Sequence, residues 1–343
     1  MNIARISFTP KGAKVNLSLS KSLKGKGFHL SQFKEEGLEN INTSLRDWVK
    51  EVFETYDAII FIGATGIAIR AIAPFLVDKR QDPAVVVVDE KGRYVIPLVS
   101  GHIGGANQLA REVGKLLGAL PIVTTATDIE GCFSVDEWAN NKGFKFKNFK
   151  VAKSISAHLL QGKKIGLLSE FGVEGHLPEG LVDICNEQEE VLELGIWIGT
   201  TSRVPFKETL WLVPPIITLG IGCRKGVSKL QIDQLVGREL DKLHIPMEAI
   251  KQIVSIDLKA NEEGLLEWSK IYKKPITFYT GEVLSQVEGK FTPSAFVEKI
   301  TGVDNVCERA AVKGSNGGRL ILNKIALEGV TMALAIENYI VNF

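Results

Sequence analysis

The sequence predicts a multi-domain α/β protein, with an N-terminal α/β sandwich-like domain, a small middle module and a C-terminal α/β domain. Three observations carry this expectation. Apolar runs of strand length alternate with segments of helical period over residues 1–131. Glycine-rich turns recur where a strand gives way to a helix, at IIFIGATGIAIR, LVSGHIGGANQ and ITLGIGCRKGVS. The length of 343 residues is that of two or three domains when one domain runs to roughly 100–200 residues.

In chain order, Ile3 to Phe8 reads as a strand, Lys14 to Leu23 as a short amphipathic stretch and Ile41 to Phe53 as a helix. Asp57 to Ile62 reads as a strand buried on both faces. A helix is expected from about Thr65 to Leu76, then a hairpin through AVVVVDEKGRYVIPL. Leu109 to Leu117 has helical spacing after the LVSGHIGGANQ turn, and Leu120 to Thr125 reads as a strand. From Phe133 to about Pro214 the pattern weakens into a helix near Val151 to Leu160, the strand KIGLLSE and the apolar run LELGIWIGTT. Pro214 and Pro215 cannot sit inside a regular helix and mark a linker. The last unit opens with ITLGIGCRKGVS and continues with a helix over Ser228 to Leu243, a further amphipathic helix, the strand PITFYT, a helix near Pro293 to Ile300 and the strand RLILNKI. Periodicity leaves both strand and helix open for Val330 to Asn342. The domains are expected at 1–132, 133–213 and 214–343.

Composition narrows the function. Hydrophobic residues make up 45%, charged residues 24%, and the formal charge is +1. No polyanion-binding field follows from such a balance, so the expected partner is a small-molecule substrate, with neither nucleic acid nor membrane. A homodimer stays open. Cys132, Cys185, Cys223 and Cys307 form no Cys-x-x-Cys pair, which argues against a zinc ribbon or disulfide framework and for a reducing cytoplasm. No apolar run approaches the length of a membrane span, and the start lacks a secretory signal.

The turns hold the candidate chemistry. In LVSGHIGGANQ, Gly101, Gly104 and Gly105 let the backbone approach a ligand, and the helix that follows is expected to present free N–H groups there. His102 can exchange protons near neutral pH, so it is the candidate general base; a turn histidine in a local hydrogen bond is the plainer reading. Ser100 lies two residues away, but no Gly-x-Ser-x-Gly elbow is present, which favours His102 acting on water over a covalent serine. Gly63, Thr65 and Gly66 form a helix start suited to an anion, without the lysine of a P-loop or a complete dinucleotide fingerprint, and Arg70 can clamp a carboxylate. Around Gly222, the cations Arg224 and Lys225 stand at an expected helix start, where they oppose the dipole and are better explained by an anionic ligand. Cys223 is read as structural. His158 and His176 are read as surface or locally bonded residues.

The blocks GATGIAIRAIAP, VVVVDEKGRYVIPLVSGHIGGANQLA, TTATDIEG and LGIGCRKGVS together resemble the CbiG family of cobalamin biosynthesis, over the whole chain. The resemblance implies a CobE-like C-terminal domain and the activity of a cobalt-precorrin-5A hydrolase, a hydrolase acting on carbon–carbon bonds. That enzyme opens the δ-lactone formed with the ring A acetate and releases the methylated bridging carbon as acetaldehyde, giving cobalt-precorrin-5B in the anaerobic pathway. It further implies that no metal is bound by the protein and no cofactor is needed, because cobalt arrives in the substrate. On this reading His102 is the base, the amides at Gly104 and Gly105 with Asn107 are oxyanion donors, and Ser100 and Thr65 position water or carboxylate. Imidazole also suits cobalt, so His102 as an axial ligand stays open. The competing readings are a tetrapyrrole-binding or carrier protein without chemistry, and a nucleotide- or sugar-phosphate-binding enzyme.

Overall fold

The computed structural model describes residues 1–30, 35–78, 81–101, 104–185 and 192–343, which divide into two compact units, 1–140 and 141–343. His102 therefore lies outside the described residues.

The first unit runs β1 (Ile3–Ser7), α1 (Pro10–Ser20), β2 (Gly25–His29), β3 (Glu39–Asn40), α2 (Leu45–Thr55), β4 (Ala58–Ile62), α3 (Thr65–Ile72), β5 (Ala84–Val88), β6 (Tyr94–Val99), α4 (Ala106–Leu117), β7 (Leu120–Pro121), α5 (Ala126–Ile129) and α6 (Val135–Asn141). Its seven strands lie in the order β3-β2-β1-β4-β5-β6-β7. β1 to β5 are mutually parallel, and β6 returns antiparallel to β5, as the hairpin expected from AVVVVDEKGRYVIPL. Successive residues of β4 and β5 point to opposite faces and both faces are covered. Ile60, Ile62, Val86 and Val88 pack with Leu19, Leu109 and Val113, while Ile59, Phe61, Val85 and Val87 pack with Trp48, Val52 and Ile72. Burial on both sides explains why these strands read as unbroken apolar runs.

The chain leaves β1 toward β2 and β3, then crosses back to β4 on the other side of β1. The carboxyl ends of β1 and β4 thus flank a topological switch point, where open α/β sheets bind ligands.

Several expectations change here. α3 stops at Ile72 and tightens into a 3₁₀ turn over Ala73–Phe75, because Pro74 has no N–H to continue an α-helix. The strand expected over Leu120 to Thr125 shortens to β7, and Thr125 instead opens α5. β2 was not legible: its GKGFH alternates glycine and lysine rather than apolar and polar residues.

The second unit begins with a sheet ordered β11-β9-β12-β13-β8, formed by β8 (Lys145–Lys147), β9 (Ile165–Ser169), β11 (Leu181–Asp183), β12 (Leu194–Ile198) and β13 (Glu208–Val213), with α7 (Lys150–Leu160) between β8 and β9. A second sheet, ordered β16-β15-β14-β18-β17, holds β14 (Ile217–Cys223), β15 (Ile250–Ile256), β16 (Ile276–Tyr279), β17 (Arg319–Leu327) and β18 (Val330–Ile336). α8 (Lys229–Lys242) and α9 (Glu263–Ile271) cover one face through Leu235, Val236, Leu265 and Trp268. α10 (Gly281–Ser285) and α11 (Ala295–Thr301) lead to α12 (Cys307–Gly314), which covers the other face through Cys307, Ala310 and Ala311. The open question over Val330 to Asn342 resolves as strand twice, since β19 (Ile340–Asn342) follows β18 and pairs with β10 (Gly172–Glu174). No helix among the described residues is long and apolar enough to cross a membrane.

Candidate active site

β6 is antiparallel to β5, with Val99 opposite Val85, so the turn after β6 sits at the amino-terminal edge of the parallel strands. Ser100 is buried there with φ 58°, left-handed backbone that a serine adopts only when its surroundings impose it. Its Oγ donates to the Asp82 carbonyl at 3.0 Å. The turn then folds onto itself. Ala106 N–H donates to the Ser100 carbonyl at 3.1 Å, and Asn107 N–H to the Gly101 carbonyl at 2.9 Å. The first two amides of α4, expected to be free for a ligand, are therefore taken by the turn's own carbonyls.

The glycines have the same cause. A Cβ on Gly104 would collide with Ser100 Cβ and lie 2.8 Å from the Ser100 carbonyl oxygen, and one on Gly101 would lie 2.9 Å from Asn107 Oδ1. Gly105 caps α4 with φ 83°. Packing within the turn by itself requires glycine at Gly101 and Gly104, and a positive φ favours it at Gly105.

Asn107 is buried and sits one helical turn before Arg111, on the same face of α4. Its Nδ2 donates both hydrogens, to Thr125 Oγ1 at 3.2 Å and Asp128 Oδ2 at 3.0 Å. That leaves no side-chain N–H for an oxyanion, so the donor role expected of Asn107 does not fit its geometry. Asp128 Oδ1 accepts from Arg111, whose other nitrogen donates to Glu137 Oε1 at 3.2 Å. Thr125, Asp128 and Arg111 were not among the sequence candidates. The signal available was the TTATDIEG block itself and the four-residue spacing from Asn107 to Arg111.

The Gly63 to Gly66 turn lies at the opposite, carboxyl edge of the same sheet, at the switch point. One β4 length, 5 residues, separates the edges, or about 17 Å at ~3.3 Å per residue. Gly63 N–H donates to the Val88 carbonyl at 2.8 Å, but the amides of Thr65 and Gly66 have no partner among the described residues. Ala64, the N-cap, has no side chain to supply one. A Cβ on Gly66 would meet nothing within 4 Å. Arg70 is exposed in the last turn of α3, which returns toward the amino-terminal edge. The structure thus brings Ser100, Gly101, Gly104, Gly105 and Asn107 together, and Gly63, Thr65 and Gly66 together, at two ends of one sheet.

Gly222, Arg224 and Lys225 belong to the second unit. The helix expected over Ser228 to Leu243 is α8, with Ser228 as N-cap in a capping box with Gln231, so Arg224 and Lys225 stand in the turn before the cap. Arg224 N–H donates to the Gly329 carbonyl at 2.9 Å, and Gly226 N–H to Glu262 Oε2 at 3.0 Å. A protein carboxylate thus occupies an amide that was expected to be open. Gly222 is required by packing, since its Cβ would lie 2.6 Å from Thr331 Oγ1. Arg224 and Lys225 are exposed, and Lys225, Lys229 and Lys259 line a surface depression of about 860 Å³. Burial pushes the Cys223 thiol up to about 11, consistent with a structural cysteine rather than a thiolate. His158 Nδ1 lies 2.9 Å from the Ser154 carbonyl, a local bond.

Three family models cover the chain: Cobalamin synthesis G N-terminal over residues 47–128, Cobalamin biosynthesis central region over 133–214, and Cobalamin synthesis G C-terminus over 217–335. The chain is 33% identical over 351 residues to the cobalt-precorrin-5A hydrolase of Salmonella typhimurium, covering 98% of each. It is 30% identical over 370 residues to that of Priestia megaterium, covering 98% of this chain and 95% of the relative. A crystal structure of a cobalamin biosynthesis protein G homologue from Sulfolobus solfataricus is 26% identical and matches 98% of this chain and 97% of its own, with a TM-score of 0.41. Similarity that runs through all three regions at this identity places the chain in the CbiG (cobalamin synthesis G) family.

Proposed function

We propose that the chain hydrolyses cobalt-precorrin-5A, and that the turn from Ser100 to Asn107 carries the chemistry. The observation that bears most weight is the full-length similarity to two cobalt-precorrin-5A hydrolases. Water adds to the ring A lactone carbonyl and opens the lactone. The freed alcohol then loses its proton, the bond between its carbon and the ring breaks, acetaldehyde leaves and the ring carbon takes up a proton. Substrate and water together balance cobalt-precorrin-5B and acetaldehyde.

His102 is the base in this reading, on the strength of its imidazole in the glycine-rich turn. The amides of Gly104 and Gly105 are the oxyanion donors, because those of Ala106 and Asn107 are already bonded. Ser100 Oγ, which donates to Asp82, retains lone pairs to accept from water. The open start of α3 at Thr65 and Gly66, with Arg70, receives substrate carboxylates; on the second unit, Arg224 and Lys225 are exposed cations suited to an anion. The cobalt belongs to the substrate, and no cofactor is required. The enzyme works in the cytoplasm.

The test is anaerobic incubation of the protein with cobalt-precorrin-5A, following acetaldehyde with coupled alcohol dehydrogenase and the macrocycle by mass spectrometry. Acetaldehyde released in step with loss of the two-carbon fragment is the expected result. Tight binding without turnover would favour a tetrapyrrole carrier instead.

A further inference from the structure

We propose that Asp128 is a positioning residue for this reaction, one that sets which way the Asn107 amide faces; the assignment rests on the functional reading above. The Asp128 side chain is only 9% exposed. It accepts from Asn107 Nδ2 at 3.0 Å and, through its other oxygen, from Arg111. Burying a carboxylate is tolerable when it is paired and hydrogen-bonded, yet such a pair adds little stability over apolar packing of equal volume. Its contribution here is orientation.

An Asn side chain can rotate by half a turn and exchange its oxygen and nitrogen at small steric cost. At Asn107 that freedom is removed, because an ionised carboxylate can only accept. Asp128 holds Nδ2 on its own side, and Thr125 Oγ1 takes the second hydrogen at 3.2 Å. Oδ1 is therefore fixed toward Gly101, where a Cβ would lie only 2.9 Å from it. The main-chain N–H of the same residue holds the Gly101 carbonyl at 2.9 Å. Asp128 thus reaches the turn through one buried amide, and Arg111, bridging to Glu137 at 3.2 Å, holds the carboxylate in place.

Replacing the carboxylate with an amide breaks this logic while keeping its shape. In Asp128→Asn the new side chain could present its NH₂ group, and the Asn107 amide could then flip to set a donor against Gly101. For this variant, kcat for acetaldehyde release is expected to fall about 100-fold, the scale of a small misplacement of catalytic groups. KM should stay within about threefold and the thermal midpoint within a few degrees, since substrate affinity and packing are retained. Asp128→Glu keeps an acceptor-only side chain and should recover part of the rate, and it serves equally if Asp128→Asn folds poorly. An unchanged kcat in Asp128→Asn would overturn the assignment, as would a loss that tracks unfolding in both variants. Absence of turnover in the wild-type protein would overturn the functional reading itself, and this assignment with it.

Discussion

At the turn from Ser100 to Ala106, the carbonyls of Ser100 and Gly101 accept from the first two amides of α4. At the turn from Gly63 to Gly66, the corresponding amides of α3 have no partner among the described residues, and the space over Gly66 is open. Both turns join a strand of the same sheet to a helix, fully buried β4 in one case and partly buried β6 in the other, and both are glycine-rich in sequence. The difference is the use of the glycines. In the first, Gly101 lies against Asn107 and Gly104 against Ser100 too closely for a Cβ; in the second Gly66 leaves a helix start bare. A closed turn suits chemistry, which requires fixed groups, and an open one suits the capture of a carboxylate.

The sharpest way to break this contrast is to add one methyl group to each turn. Gly104→Ala would drive a Cβ into Ser100 Cβ and to 2.8 Å from the Ser100 carbonyl oxygen. The first unit should lose about 3 kcal/mol, the upper end for overpacking, with activity falling alongside; urea unfolding measures the loss. A stable, active Gly104→Ala protein would mean that the turn is looser than its contacts indicate.

Arg70→Ala comes next. The guanidinium is exposed and without a protein partner among the described residues, so its removal should leave stability unchanged. Loss of a charge-assisted hydrogen bond to a carboxylate corresponds to about a tenfold rise in KM, diminishing as salt is raised. Initial rates at two ionic strengths measure it, and an unchanged KM at low salt would remove Arg70 from the site.

Gly66→Ala sharpens the comparison by separating stability from affinity. Its Cβ meets nothing within 4 Å and its φ is not positive, so the fold should gain about 0.5 kcal/mol from lost chain entropy. The same methyl partly covers the bare helix start, and KM should rise about threefold. A gain in melting temperature with KM unchanged would move the carboxylate site away from α3.

Much of this is legible in the amino-acid sequence. The buried strands β4 and β5 declared themselves as apolar runs, and the hairpin through Asp89 to Gly92 followed from turn residues between two such runs. What the sequence could not show was where amides find partners. The carbonyls that close the Ser100 turn come from residues six positions back, and Ser100 takes a left-handed φ of 58° there. The expected hairpin, by contrast, already implies that β6 carries its turn to the edge of the sheet opposite Gly63. Asp128 was missed because its link to Asn107 spans 21 residues.

The third glycine-rich turn offers a smaller test of the same distinction, because it is closed by a side chain that titrates. Glu262 accepts from Gly226 N–H at 3.0 Å and from Lys259 at 3.1 Å. Burial works against its ionisation, but the Gly226 amide and Lys259 outweigh it and hold the carboxyl below its ordinary value. A carboxyl lowered in the folded state adds stability that is present above its unfolded pKa of about 4.3 and disappears as pH falls through the lower native value. Glu262→Gln should therefore be less stable than wild type at pH 7, and the two proteins should converge as the pH drops from about 5 to about 3. Urea midpoints across that window measure the gap. A gap that stayed constant would show that Glu262 holds the turn by shape alone, and that an amide closes it as well as a charge.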